Sequence, residues 1–228
     1  MTEGTDAVGD ASQADVGVAL APVAAAAALG DATALERAIE SALASGCPAA
    51  TLREALLMLA PFGGFPRTLD ALAHFQAVLT RLGCDSLLAA ATLDDVPHAD
   101  HAARGRPFFE RVYGDDAQRI FTRLLALDPE LPHWVIEDAY GRVLSRPGLA
   151  AAQRERLAVV FLCALRLPNQ LSGHVRGALR CGATAAEVEC SLAAAEPLLT
   201  AEFVADARRV LTRAAPLQDD AERDPEPA

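Results

Sequence analysis

The chain has 228 residues, of which 52% are hydrophobic, 22% charged and 5% aromatic, and its 31 acidic side chains outnumber 20 basic ones for a net charge of -11. Every basic residue is arginine, so Schiff-base and P-loop lysine chemistry is excluded. The apolar fraction excludes a disordered chain, and the acidic balance argues against nucleic acid or an anionic membrane as a partner.

The first residues, 1–16, are polar and acidic and read as a flexible N-terminus without the positive start of a secretory signal. The apolar run Val18 to Leu29 contains Pro22 and is too short for a bilayer of roughly 30 Å, so a cytoplasmic protein is expected. Thr33 and Glu36 form a capping box, and Leu35, Ile39 and Leu43 follow at helical spacing until Gly46 stops the helix. Pro48 opens a second helix that ends at Gly63-Gly64, and Pro66 opens a third bearing Leu69, Leu72, Phe75, Val78, Leu79 and Leu82. Residues 85–103 read as a connector, and its irregular punctuation extends from about 83 to Pro107. Helices are then expected near 115–126, 130–144, 150–166, 168–181, 184–198 and 201–214, followed by a disordered acidic tail over 216–228. No stretch alternates as a strand would, so the fold class is all-α.

Shifting the sequence by 136 positions aligns its helical punctuation: Leu35 falls on Leu171, Leu43 on Leu179 and Gly46 on Gly182. Two related helical units in tandem are expected, a first over 17–84 and a second over 104–215. The five cysteines are odd in number and nowhere form C-x-x-C, so neither a disulfide framework nor a zinc ribbon is indicated. His98, Asp100 and His101 have metal-ligand residue types but lack helical ligand spacing, and a solvated loop is the better reading.

The second unit contains Arg111-Val112-Tyr113-Gly114, Asp128-Pro129-Glu130-Leu131, Tyr140-Gly141-Arg142-Val143 and Arg146-Pro147-Gly148-Leu149. These are followed by Arg154-Glu155-Arg156-Leu157, Gln170-Leu171-x-x-His174 and Gly182-x-Thr184-x-x-Glu187-Val188. In this order they resemble the carboxymuconolactone decarboxylase family, which includes the alkylhydroperoxidase D-like proteins. In the first unit, Phe62-Gly63-Gly64-Phe65-Pro66-Arg67 is similar to a Tyr-Ala-Gly-x-Pro segment of that family. The resemblance implies an alkylhydroperoxidase D-like helical bundle that assembles as a trimer- or hexamer-like homo-oligomer. The first unit has Ala19 and Ala38 where Glu155 and His174 align, so at most one familiar site is expected, in the second unit.

Gln170 and His174 are four apart on one helix face, close to an N-terminus that favours an anion. A hairpin through Arg166-Leu167-Pro168 could bring Glu155 opposite His174. On the resemblance, His174 and Glu155 are the expected catalytic pair and Gln170 a substrate-binding residue. The expected chemistry is decarboxylation or isomerisation of a small acidic metabolite, with no metal or organic cofactor. Arginines of the second unit, among them Arg142, Arg146, Arg154 and Arg156, read mostly as surface charges that could include a carboxylate clamp. A non-catalytic oligomeric or ligand-binding protein on the same bundle is the alternative. Peroxidase chemistry is disfavoured, because Leu167 and Gln170 stand where the family's peroxidatic cysteines would be.

Overall fold

A computed structural model describes residues 11–84, 86 and 96–215. The acidic tail over 216–228, the first ten residues and most of the expected connector lie outside the described residues. Helix α1 (Ala11–Leu29) begins inside the stretch expected to be flexible and runs through Pro22. It is apolar nearly all round: Leu20, Ala21 and Val23 to Ala28 are at most 2% exposed. Such a helix has no solvent face and belongs in a core. Its counterpart is α8 (Ala151–Ala164), buried continuously from Gln153 to Ala164. The two pack against each other at the centre of the bundle.

Around α1 lie α2 (Ala32–Ala44), α3 (Ala49–Leu57) and α4 (Leu59–Arg81). The helix expected from Pro48 to Gly63 is divided near Met58, and within Leu59–Arg81 two helical stretches meet at the glycine pair, where the expected break falls. Gly64 has φ 81° and ψ 167°, which α4 accommodates before resuming at Pro66. Around α8 lie α9 (Pro168–Arg180), α10 (Ala185–Ala195) and α11 (Ala201–Ala214). The spacing of 136 recurs in the element bounds, since Ala32–Ala44 shifted by it becomes 168–180, the span of α9. Gly30 and Arg166, also 136 apart, both take positive φ (69° and 58°) in the turns entering α2 and α9.

The remaining helices are α5 (His101–Tyr113), α6 (Ala117–Leu127) and α7 (Leu131–Trp134), which continues as a π-helix over Val135–Leu144. α5 occupies sequence that reads as connector because of Gly105 and Pro107. Pro107 cannot donate to the Ala103 carbonyl, but Ala103 is exposed and its carbonyl can be hydrated. Gly105 and Gly141 allow α5 and the π-helix to cross backbone against backbone: a Cβ on Gly105 would lie 2.6 Å from the Gly141 nitrogen. Among the described residues no helix is long and apolar enough to cross a membrane, and no group of three His, Cys, Asp or Glu could hold a metal.

Candidate active site

Pro168 opens α9 at its first turn, as the fixed φ of proline favours, which puts His174 on the second turn. The turn through Arg166 folds α9 back along α8, and Glu155 then faces His174 across the pair. His174 Nδ1 is 2.8 Å from Glu155 Oε2, with Glu155 fully buried and His174 only 4% exposed. Gly177, one turn beyond His174, makes room for the carboxylate, since a Cβ there would fall 2.7 Å from Glu155 Oε2 and 2.7 Å from Val112 Cγ1. The Arg154-Glu155-Arg156 segment, which reads as surface charge, is buried throughout. Arg156 donates to Ser191 Oγ at 2.9 Å and lies against Gly17 of α1, and Arg154 reaches backbone carbonyls.

Two aromatic rings enclose the imidazole. Phe62 of α4 meets it edge-on with centroids 5.5 Å apart, and also stacks on Phe161 of α8 at 5.5 Å. Phe62, one residue before Gly63, thus brings α4 into this site. Tyr113 of α5 meets the other side at 5.9 Å, and its hydroxyl is 3.5 Å from His174 Nε2. Phe62 and Tyr113 carried no assigned role in the sequence, because only tertiary packing brings helices so distant along the chain onto one histidine. Gln170 is exposed one turn before His174, at the open end of the same helix face.

Burial pushes the Tyr113 phenol up to about 12; its interaction with Tyr140 offsets part of this and the charge of Glu155 adds to it. Tyr140, wholly buried beside it, is pushed further up by the same burial and by Tyr113 and Glu155. Both phenols keep their protons at neutral pH, so Tyr113 can donate to Nε2. With Glu155 as a carboxylate accepting at Nδ1, the imidazole proton belongs on Nδ1. A separation of 3.5 Å is the long limit of a hydrogen bond, so Nε2 is the less firmly held nitrogen. Glu155 Oε1 and the Tyr140 hydroxyl are buried without a hydrogen-bond partner of ordinary geometry, and both belong to this polar cluster. Unmatched polar atoms of this kind are costly in a core and mark it as more than packing.

Two cavities lie elsewhere. One of about 640 Å³ is lined by Val16, Ala19, Pro22, Ala38, Cys47 and Ala194, among others. Ala19 and Ala38, which precede Glu155 and His174 by 136 positions, are among its lining residues. The second, of about 330 Å³, lies among arginines. Neither is lined by Glu155 or His174. Burial pushes the thiol of Cys163 up to about 12, and burial with the Glu155 charge does the same for Cys181. Neither supplies the thiolate that peroxide reduction requires.

Residues 129–213 match the carboxymuconolactone decarboxylase family. Over 138 residues the chain is 33% identical to a protein named Peroxisomal protein 2 of Schizosaccharomyces pombe, a match covering 60% of this chain and 63%, less than two thirds, of that protein. The segment that matches the carboxymuconolactone decarboxylase family holds Glu155, Gln170 and His174.

Proposed function

We propose that this protein carries out proton-transfer chemistry, of decarboxylase or isomerase type, on a small carboxylated metabolite. The observation that carries the reading is the buried 2.8 Å contact between His174 Nδ1 and Glu155 Oε2. A carboxylate fixed on one imidazole nitrogen orients the ring and stabilises the imidazolium formed when the other nitrogen takes a proton. His174 Nε2 is then the group that accepts or delivers the proton. Tyr113 holds that nitrogen in the resting state and moves aside, or relays, when substrate enters. Gln170 sits where it can hydrogen-bond a substrate approaching the N-terminal end of α9. A homo-oligomer, trimer- or hexamer-like, and a cytoplasmic setting belong to the same reading. Exposed Phe65 and Leu69, one turn apart on α4, support an apolar contact between copies.

The test is turnover of carboxylated butenolides by the purified full chain, followed as carbon dioxide release and as loss of substrate absorbance. His174→Asn and Glu155→Gln are expected to lower kcat by about 100- to 10,000-fold while the fold, read by circular dichroism, is kept. Turnover that is equal in wild type and His174→Asn would overturn the reading. One observation favours a second reading, a non-catalytic ligand-binding or oligomeric role: His174 is 4% exposed and enclosed by Phe62 and Tyr113. That reading predicts that carboxylated butenolides bind without turnover and bind equally well to His174→Asn.

A further inference from the structure

We propose that Tyr113 donates a hydrogen bond to the substrate oxygen on which negative charge collects, and that Tyr140 is the positioning residue that holds the Tyr113 hydroxyl for it. The proposal rests on the acid–base reading of His174 and deepens it by naming the substrate class. The substrate carries a carbonyl conjugated to its reacting carbon, as the lactone carbonyl of a carboxylated butenolide is.

Tyr113 and Tyr140 are the two tyrosines of the chain, and they meet beside one histidine. Their ring centroids are 6.2 Å apart, and that of Tyr113 is 5.9 Å from the imidazole. Tyr113 is the last residue of α5, and Gly114 after it has φ 55°, a conformation that favours glycine. Its ring lies against α9, where a Cβ on Gly173 would come within 3.0 Å of the Tyr113 Cε1. Tyr140 belongs to the π-helix, a form that recurs at functional sites. Its carbonyl accepts from the Ser145 amide at 2.9 Å and from Ser145 Oγ at 2.6 Å. Tyr140 is thus the anchored ring, and Tyr113, at a helix end, is the one able to turn from Nε2 to a substrate.

A phenylalanine at position 140 would fill the same space without burying a hydroxyl. The Tyr140 hydroxyl is buried with no partner of ordinary geometry, a cost that packing alone gives no reason to bear. Burial dominates the acidity of both phenols; beyond it, their mutual interaction favours ionisation of Tyr113 and disfavours that of Tyr140. This is the pattern of Tyr140 as donor and Tyr113 as acceptor. A hydroxyl that accepts one hydrogen bond becomes a better donor of the next. The resting contact to Nε2, at 3.5 Å, is weak and easily exchanged. Negative charge growing on a substrate oxygen strengthens the same donation, which is the differential that lowers a barrier.

The experiment labels the full chain with carbon-13 at tyrosine Cζ, giving two signals, and with nitrogen-15 in its histidines. In Tyr140→Phe the remaining Tyr113 signal is expected to move, because its oxygen has lost a donor. In Tyr113→Phe the His174 Nε2 signal is expected to move while Nδ1, held by Glu155, stays. With a carboxylated butenolide as substrate, Tyr113→Phe is expected to lower kcat about 100- to 1,000-fold and Tyr140→Phe about tenfold, each with KM within about threefold of wild type. A Tyr113 signal identical in wild type and Tyr140→Phe, or full turnover by Tyr113→Phe while His174→Asn is inactive, would overturn the proposal and leave the Glu155–His174 reading standing. Equal turnover by wild type and His174→Asn would overturn both.

Discussion

Gly141→Ala is expected to cost about 3 kcal/mol or more of stability. A Cβ at that position would lie 2.7 Å from the carbonyl carbon of His101 and 3.0 Å from its Cα, with the carbonyl oxygen closer still. These are backbone atoms, so no rotamer change relieves the clash and α5 must move away from the π-helix. Phe109, Tyr113 and Tyr140 pack across that crossing, with centroids of 4.7 to 6.2 Å between them. Separation of the two helices therefore also loosens the wall beside His174. Against a total of roughly 5–15 kcal/mol for a typical domain, a loss of this size is severe. Urea unfolding of wild type and variant measures it directly, and a loss under 1 kcal/mol would show that the crossing is not tight.

His174→Ala is expected to destabilise by about 3–5 kcal/mol, because it strands a fully buried carboxylate. Glu155 Oε1 has no partner already, and the substitution removes the one that Oε2 has. The double variant Glu155→Ala/His174→Ala is expected to be less destabilised than the two single losses added together, with a coupling of roughly 1–3 kcal/mol. A cycle whose losses add to within about 0.5 kcal/mol would mean that the acid and the imidazole do not depend on each other.

The sequence discloses some parts of this molecule readily and hides others for physical reasons. Helices α2 and α9 are amphipathic and are followed by Gly46 and Gly182 with positive φ, so period and punctuation agree. Helix α1 is buried on nearly every side between Leu20 and Ala28, and an apolar run of that kind has no period from which its start can be read. The π-helix over Val135–Leu144 leaves the same apolar spacing as an α-helix in a short stretch, and its wider turn is visible only in coordinates. The Glu155–His174 encounter was legible because a tight turn constrains two adjacent helices. Arg154 and Arg156 read as surface charge because their neighbours in sequence do not reveal that α1, α3 and α10 close over them. The sequence hides Phe62 most fully, because its packing on His174 joins positions over a hundred residues apart.

The central claim, that Glu155 holds the imidazole proton on Nδ1 and leaves Nε2 to act, is tested most directly by nitrogen-15 NMR of the His174 ring. The structure predicts the Nδ1–H tautomer at neutral pH, with a downfield proton signal that disappears in Glu155→Gln while the other four histidines are unchanged. An Nε2–H tautomer in the wild-type protein, or a His174 signal indifferent to Glu155→Gln, would contradict it.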